Sequence, residues 1–286
     1  MVRKTLRPVT LSRIIDLTEA VSSKRTVSRE HLEQDLDVSS RRGSELVKEC
    51  TRLNLITMNE QSIQITETGL SFHRGFQDEN WAELHQILLE NSKHYRTLFE
   101  FLEMEQKKTG FSRDQLSEFL SGEHDDIRLN KTGIEVLTDW GERLGGLQRN
   151  VFTDRYYQVC EESRDKSFLE TLEESYQQLE QTGGVSMRQR YVSIPRLRES
   201  VCERLRTSRD TFDKRLKRVA QNQIGRMELS GAPLDSSAKE ANRGIKKIVR
   251  CSEEGNTTTR MESDRAMQGV ELANNKVYYY LAIFDL

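Results

Sequence analysis

Residues 28–70 read SREHLEQDLDVSSRRGSELVKECTRLNLITMNEQSIQITETGL. Ser28 can cap a helix over Arg29 to Leu36, in which Leu32 and Leu36 share a face. Asp37-Val38-Ser39 breaks it, because short polar side chains compete for backbone hydrogen bonds, and a second helix runs from about Ser40 to Leu53. On that helix Gly43, Leu46, Val47, Cys50 and Leu53 fall on one side, and Arg41, Glu45, Lys48 and Arg52 on the other. Two short runs follow, Leu55-Ile56-Thr57-Met58 and Ser62-Ile63-Gln64-Ile65-Thr66, joined by Asn59-Glu60-Gln61, which is the pattern of an antiparallel hairpin. Upstream, Leu11, Ile14, Ile15 and Val21 make one buried helix face after a Thr10 cap.

Three helices, a hairpin and the step Ile65-Thr66-Glu67-Thr68-Gly69-Leu70 into a further helix resemble the winged helix-turn-helix family over residues 9–75. The step is similar to the Leu-Thr-x-x-Gly that often closes the wing in prokaryotic winged-helix transcription factors. The resemblance implies a DNA-binding module whose third helix reads a groove.

The pattern recurs downstream. Tyr95, Leu98, Phe99 and Leu102 mark a helix, Ser112 caps a second with Leu116, Phe119 and Leu120, and Asn130 caps a third with Ile134, Leu137, Trp140 and Leu144. Val151-Phe152 and Arg155-Tyr156-Tyr157-Gln158-Val159 are candidate wing strands. A linking helix carries Trp81, Leu84, Ile87, Leu88 and Leu89. An acidic helix from Cys160 to Gln181 bears Phe168, Leu169, Leu172, Tyr176 and Leu179 at partner-helix spacing, and ends at Gly183-Gly184. The third copy places Ile194, Leu197, Val201 and Leu205 on one helix, a turn at Arg206-Thr207-Ser208, and Phe212, Leu216 and Val219 on the next. Met227-Glu228-Leu229 reads as a strand whose partner is either near Lys246 to Cys251 or the terminal 276–284, with the polar stretch from Asp235 to Asn275 between. The expected fold is mainly α with small β-hairpin wings (α+β). Tandem winged helix-turn-helix modules at 1–75, 92–160 and 185–286 are joined by a linking helix at 76–91 and an acidic connecting helix at 161–184.

Composition agrees with several small domains. The chain has 286 residues, of which 31% are charged and 35% hydrophobic, too few apolar side chains for one large core. Lys+Arg 44 against Asp+Glu 46 leaves a formal net charge of -2, so any basic surface must be local. No run approaches the ~20 apolar residues of a membrane span, and no apolar core follows Met1-Val2-Arg3-Lys4, which predicts a cytoplasmic protein without membrane contact. Cys50, Cys160, Cys202 and Cys251 form no Cys-x-x-Cys pair and read as reduced and structural.

DNA demands cations at phosphates and polar groups at base edges. Among the three reading helices, the first offers Arg41, Arg42, Ser44, Lys48 and Arg52, and the third offers Thr207, Ser208, Arg209, Lys214, Lys217, Arg218 and Gln221. The third set carries the stronger basic signal, since Arg188, Arg190, Arg196, Arg198, Arg204 and Arg206 precede it. The bland alternative is a solvated, salt-bridged face, with Glu45 or Glu49 pairing to Arg41 and Arg42 one turn away. In the middle helix Glu135, Asp139 and Glu142 outweigh Lys131 and Arg143, which suggests protein contact or self-association there and along the acidic helix.

Nucleotide-loop, nucleophile-elbow and zinc-protease motifs are absent from the sequence. Glu123-His124-Asp125-Asp126 reads as a solvated turn rather than a metal site, and Asp235, Lys239 and Glu240 as a polar loop rather than a nuclease centre. Neither a cofactor nor a catalytic residue is expected. The expected function is non-enzymatic binding of double-stranded DNA, as a sequence-specific regulator or accessory factor in transcription, plasmid maintenance or defence. The alternative is a protein-interaction scaffold. RNA binding is a weaker third, because no aromatic platform is evident on the basic faces.

Overall fold

The computed structural model describes residues 5–24, 26–59, 62–105, 109–121, 127–160, 165–182, 191–222, 225–231, 245–250, 257–262, 266–272 and 276–284. Over these it is mainly helical, with eleven α-helices and small sheets of two or three strands. Two compact units form. One holds Met1–Gln106, Ser112–Leu147 and Lys246–Arg260, and the other Lys107–Phe111, Gln148–Ile245 and Met261–Leu286.

In the first unit α1 (Leu11–Lys24) buries Leu11, Ile14, Ile15, Leu17, Thr18 and Val21. After β1 (Thr26–Val27), α2 (Arg29–Asp35) starts at Ser28, whose hydroxyl accepts from the His31 N–H at 3.3 Å. α3 (Ser40–Arg52) approaches α2 closely at Gly43, where a Cβ would lie 2.6 Å from Glu33 Cγ. β2 (Ile56–Met58) and β3 (Ile63–Ile65) form the expected hairpin. β1, which hydrophobic periodicity did not reveal, pairs with the other side of β3, giving the order β1-β3-β2.

α4 (Glu67–Gln77) begins at the Thr-x-x-Gly step, and the structure gives that step a physical reason. The Thr66 hydroxyl accepts from the Gly69 N–H at 2.9 Å and donates to the Asn54 carbonyl at 2.6 Å, while the Thr66 N–H reaches the Leu55 carbonyl at 3.0 Å. A Cβ on residue 69 would sit 2.0 Å from the Leu55 carbonyl oxygen, so only glycine fits. α4 packs on α1 and on α5 (Trp81–Asn91), and α6 (Lys93–Met104), α7 (Arg113–Ser121) and α8 (Lys131–Arg143) complete the helices of this unit. The segment before α1 is tied to them: the Trp140 indole N–H donates to the Val9 carbonyl at 3.1 Å, and Thr5 bridges Arg128 in parallel.

His85, on α5, lies among Tyr95, Phe99 and the backbone of Gly146, with its Nδ1 2.8 Å from the Tyr95 hydroxyl. Burial lowers its pKa from 6.5 to about 4. The unfolded chain therefore takes up a proton near 6.5 that the folded chain refuses until about 4, so this contribution to stability is complete above 6.5 and declines as pH falls through that window.

The second unit contains Phe111, whose N–H and carbonyl both bond Tyr156 at 2.9 and 2.8 Å, beside the pair β4 (Leu147–Asn150) and β5 (Arg155–Gln158). α9 (Asp165–Thr182), β6 (Val192–Ser193), α10 (Ile194–Leu205), α11 (Arg209–Asn222) and β7 (Met227–Ser230) follow. β10 (Val270–Glu271) and β11 (Val277–Tyr278) pair with each other, and β8 (Ile245–Arg250) and β9 (Thr257–Glu262), which fall mostly in the first unit, form a pair of their own. β12 (Tyr280–Ile283) lies between β6 and β7, with Tyr280 opposite Ser230 and Ile283 opposite Met227. Of the two partners expected for the Met227 strand, the terminal one is found. The sheet order β6-β12-β7 repeats that of β1-β3-β2, with residues 231–279 inserted between its outer and central strands.

Two organisational expectations change. The helix expected to connect modules, α9, is the first helix of the last set, since its Phe168, Leu172 and Tyr176 are buried with Leu197, Val201, Phe212, Leu216 and Leu281. Its apolar stripe is thus consumed within the second unit. Residues 92–160 divide: α6 to α8 belong to the first unit, and Gln148 onward to the second. The boundary glycines Gly183-Gly184 and the acids at 123–126 lie outside the described residues.

Substituting Gly69→Ala should destabilise the protein by about 1–3 kcal/mol in urea denaturation, because a backbone carbonyl cannot rotate out of the way. The midpoint of thermal unfolding should fall between pH 7 and 5, and His85→Gln should flatten that part of the profile.

Candidate nucleic-acid interface

On α3, Ser40, Arg41, Arg42 and Lys48 are exposed while Leu46, Val47 and Cys50 are buried, so the outward face carries cations and a hydroxyl. Folding adds two arginines from elsewhere. Arg29 of α2 and Arg7 of the segment before α1 join Ser40, Arg41, Ser44, Glu45 and Lys48 around an open concavity of about 510 Å³. Four cations thus face one acid. Arg29 is oriented by Glu33, at 2.8 Å from its Nε, and by the Ser40 carbonyl, 2.9 Å from its Nη2. Arg7 is oriented by Glu49, whose Oε2 lies 3.5 Å from its Nη1.

Glu49 is fully buried on the inner side of α3. Burial raises its pKa, against the attraction of Arg52 and Arg7, which favour the charged form. Arg52 donates to its other oxygen. Arg52, expected to touch DNA, is thereby half-buried and turned toward Glu49. Glu49 takes Arg7 and Arg52 as its partners, rather than the expected Arg41 or Arg42.

The last helical set is organised differently. Arg209, at the start of α11, lies against Glu199 of α10: its Nε is 2.5 Å from Oε1 and its Nη2 2.8 Å from Oε2. Its Nη2 also reaches the Arg149 carbonyl at 2.6 Å, and its backbone N–H donates to Gln148 Oε1 at 3.2 Å. Burial opposes the charge on Arg209, but the neighbouring Glu199 carboxylate more than offsets it, and the pKa is raised. Glu199 Oε2 accepts from the Val151 N–H at 3.0 Å, and Glu203 accepts from the Gly110 N–H at 2.7 Å and Asn150 Nδ2 at 2.6 Å. These carboxylates bind the β4–β5 turn to the helix pair.

Two expected contacts are consequently withdrawn: Thr207 is fully buried, and Arg209 is held in this network. Ser208 is half-buried and caps α11, its hydroxyl accepting from the Thr211 N–H at 3.1 Å. Lys214, Arg218 and Gln221 are exposed, and Lys217 partly so. The arginines that made this region look most basic are mostly engaged. Arg198 is buried against Asp213 at 2.7 Å and the Gln268 carbonyl at 2.9 Å, Arg204 meets Glu174 and Ser175, and Arg196 stacks over Phe152 at 4.8 Å. Arg188 and Arg190 lie outside the described residues. In the middle set Arg143 forks onto Asp139 at 2.6 and 3.2 Å, and Lys131 meets Asp114 at 3.1 Å.

No family model matches the chain, and neither does any curated protein. Among the described residues, no three His, Cys, Asp or Glu side chains gather as metal ligands. No helix among them is long and apolar enough to cross a membrane. The expected Asp235, Lys239 and Glu240 grouping falls outside the described residues. Arg7 and Arg29 are the site residues that sequence reading missed. Periodicity assigns each helix face separately, and nothing in residues 5–10 signals proximity to α3.

Removing a buried partner leaves its carboxylate uncompensated. Arg209→Ala should therefore cost about 3–5 kcal/mol of stability in chemical denaturation, whereas Lys214→Ala should stay within about 0.5 kcal/mol.

Proposed function

We propose that this chain is a non-enzymatic double-stranded DNA-binding protein built from tandem winged helix-turn-helix modules, with the first module as its principal contact. The architectural part is supported by chain order. In α1-β1-α2-α3-β2-β3 and again in α9-β6-α10-α11-β7-β12, a short strand between the first two helices pairs with the last strand. The α6-α7-α8-β4-β5 order repeats it with a single bridge, Phe111 to Tyr156.

The observation that carries the functional reading is the concavity in front of α3, where Arg7, Arg29, Arg41 and Lys48 converge from three segments with Ser40 and Ser44. Cations gathered in one place lower the free energy of a polyanion by releasing its counterions. Arg41 and Arg42 sit in the opening turn of α3, where the helix dipole disfavours positive charge, and an anionic ligand relieves that conflict. In the last module Lys214, Lys217, Arg218 and Gln221 supply secondary backbone contacts. Regulation of transcription, plasmid maintenance and defence all use such a device.

A second reading, a protein-interaction scaffold, is favoured by one observation. Met104 of α6 is 84% exposed and Phe119 of α7 is 40% exposed, with Phe101 stacked on Phe119 at 5.5 Å between ring centres. These two side chains are the middle module's contribution to such a surface.

Fluorescence anisotropy with a random-sequence duplex tests the assignment. Arg41→Glu with Lys48→Glu should weaken binding at least about tenfold and flatten its salt dependence. Lys214→Glu with Arg218→Glu should cost less, and Lys131→Glu almost nothing. Equal losses for all three, or no binding by the wild type at low salt, would sink the reading.

A further inference from the structure

We propose that the concavity before α3 holds a backbone phosphate of the duplex, with Arg7 as one of its ligands and the buried Glu49 as the positioning residue that keeps Arg7 there. The assignment rests on the DNA-binding reading above and adds to it a contact from outside the helix-turn-helix.

Arg7 reaches the site on a segment anchored at both ends. The Thr5 to Arg128 bridge holds one side and the Trp140 bond to the Val9 carbonyl the other, and the Arg7 carbonyl accepts from the Val9 N–H at 2.8 Å. The Arg7 side chain is 13% exposed, so it loses little freedom on meeting a ligand. Its Nη1 faces Glu49, and the side chain lines the concavity together with Arg41, Ser44 and Lys48. A guanidinium presents five N–H donors in a rigid fork, so one nitrogen can rest on a carboxylate while others meet a phosphate oxygen. Glu49 cannot serve the ligand itself, because it has no exposure and like charge would repel a phosphate. Its two oxygens are divided between Arg7, 42 residues away in sequence, and Arg52 one helical turn along α3. The carboxylate thus fixes where the arm's cation stands relative to the reading helix.

Duplex binding by the full chain, measured across a salt series, separates this from the general reading. Arg7→Ala should weaken binding roughly tenfold and reduce the steepness of the log affinity against log salt line by about one contact. Arg7→Lys, which leaves Glu49 untouched, should restore the slope and only part of the affinity. Glu49→Gln should weaken binding in the wild-type background and change it less than about twofold in the Arg7→Ala background, since a residue acting through Arg7 has nothing to act on once Arg7 is gone. Equal losses from Glu49→Gln in both backgrounds would mark a purely structural role and overturn the positioning claim. An unchanged slope in Arg7→Ala, with the wild type still binding, would overturn the phosphate contact and leave the general reading standing. Failure of the wild type to bind would remove both.

Discussion

A carboxylate taken out of water has to be surrounded by donors, and of the buried groups Glu49, Glu199 and Glu203 the first two take arginines for this while the third takes neutral amides. Glu49 draws Arg7 and Arg52 to α3. Glu199 draws Arg209 and the Val151 N–H, and Glu203 draws the Gly110 N–H and the side chain of Asn150. Each joins segments remote in sequence at a point where apolar packing alone would not define one geometry. Removing a partner from any of them leaves a buried charge unmatched, so these contacts are maintained by the cost of their loss more than by their net gain.

Pairing with carboxylates separates the basic residues available to a ligand from those already used. The last helical set has more arginines, yet Arg198, Arg204 and Arg209 face Asp213, Glu174 and Glu199. The first set has fewer, but Arg41 and Lys48 remain on an open surface, and Arg7 and Arg29 are brought beside them. With a formal net charge of -2 the chain has no general attraction for polyanions, so a local concentration of cations matters more than their total.

The two three-stranded sheets share an order but differ in how they close. In the first, β2 and β3 are joined by a short turn, and Thr66 and Gly69 lock the exit into α4. In the second, residues 231–279 intervene between β7 and β12, and the strands still pair in register. The entropy of closing a loop grows only with the logarithm of its length, so the long insertion is tolerated once Leu281 is buried against α10 and α11.

Helix periodicity and caps were legible in the sequence because they are local: Ser28 and Asn130 cap the helices where their spacing placed them, and Leu46, Val47 and Cys50 lie inside. The Thr-x-x-Gly step was legible as a motif, and its capping hydrogen bond emerged with the structure. The short strands β1 and β6 were not legible, since two residues carry no period and exist as strands only through their partners. Arg41 and Lys48 were placed correctly on the outer face of α3, because a helix assigns its own faces, whereas Arg52, expected beside them, turns to Glu49. Membership of α9 in the last set, the interior fate of Thr207 and Arg209, and the arrival of Arg7 and Arg29 beside α3 were decided only by tertiary structure. Those facts depend on which distant carboxylate or apolar face a residue meets, and that information resides in the packing rather than in any window of the chain.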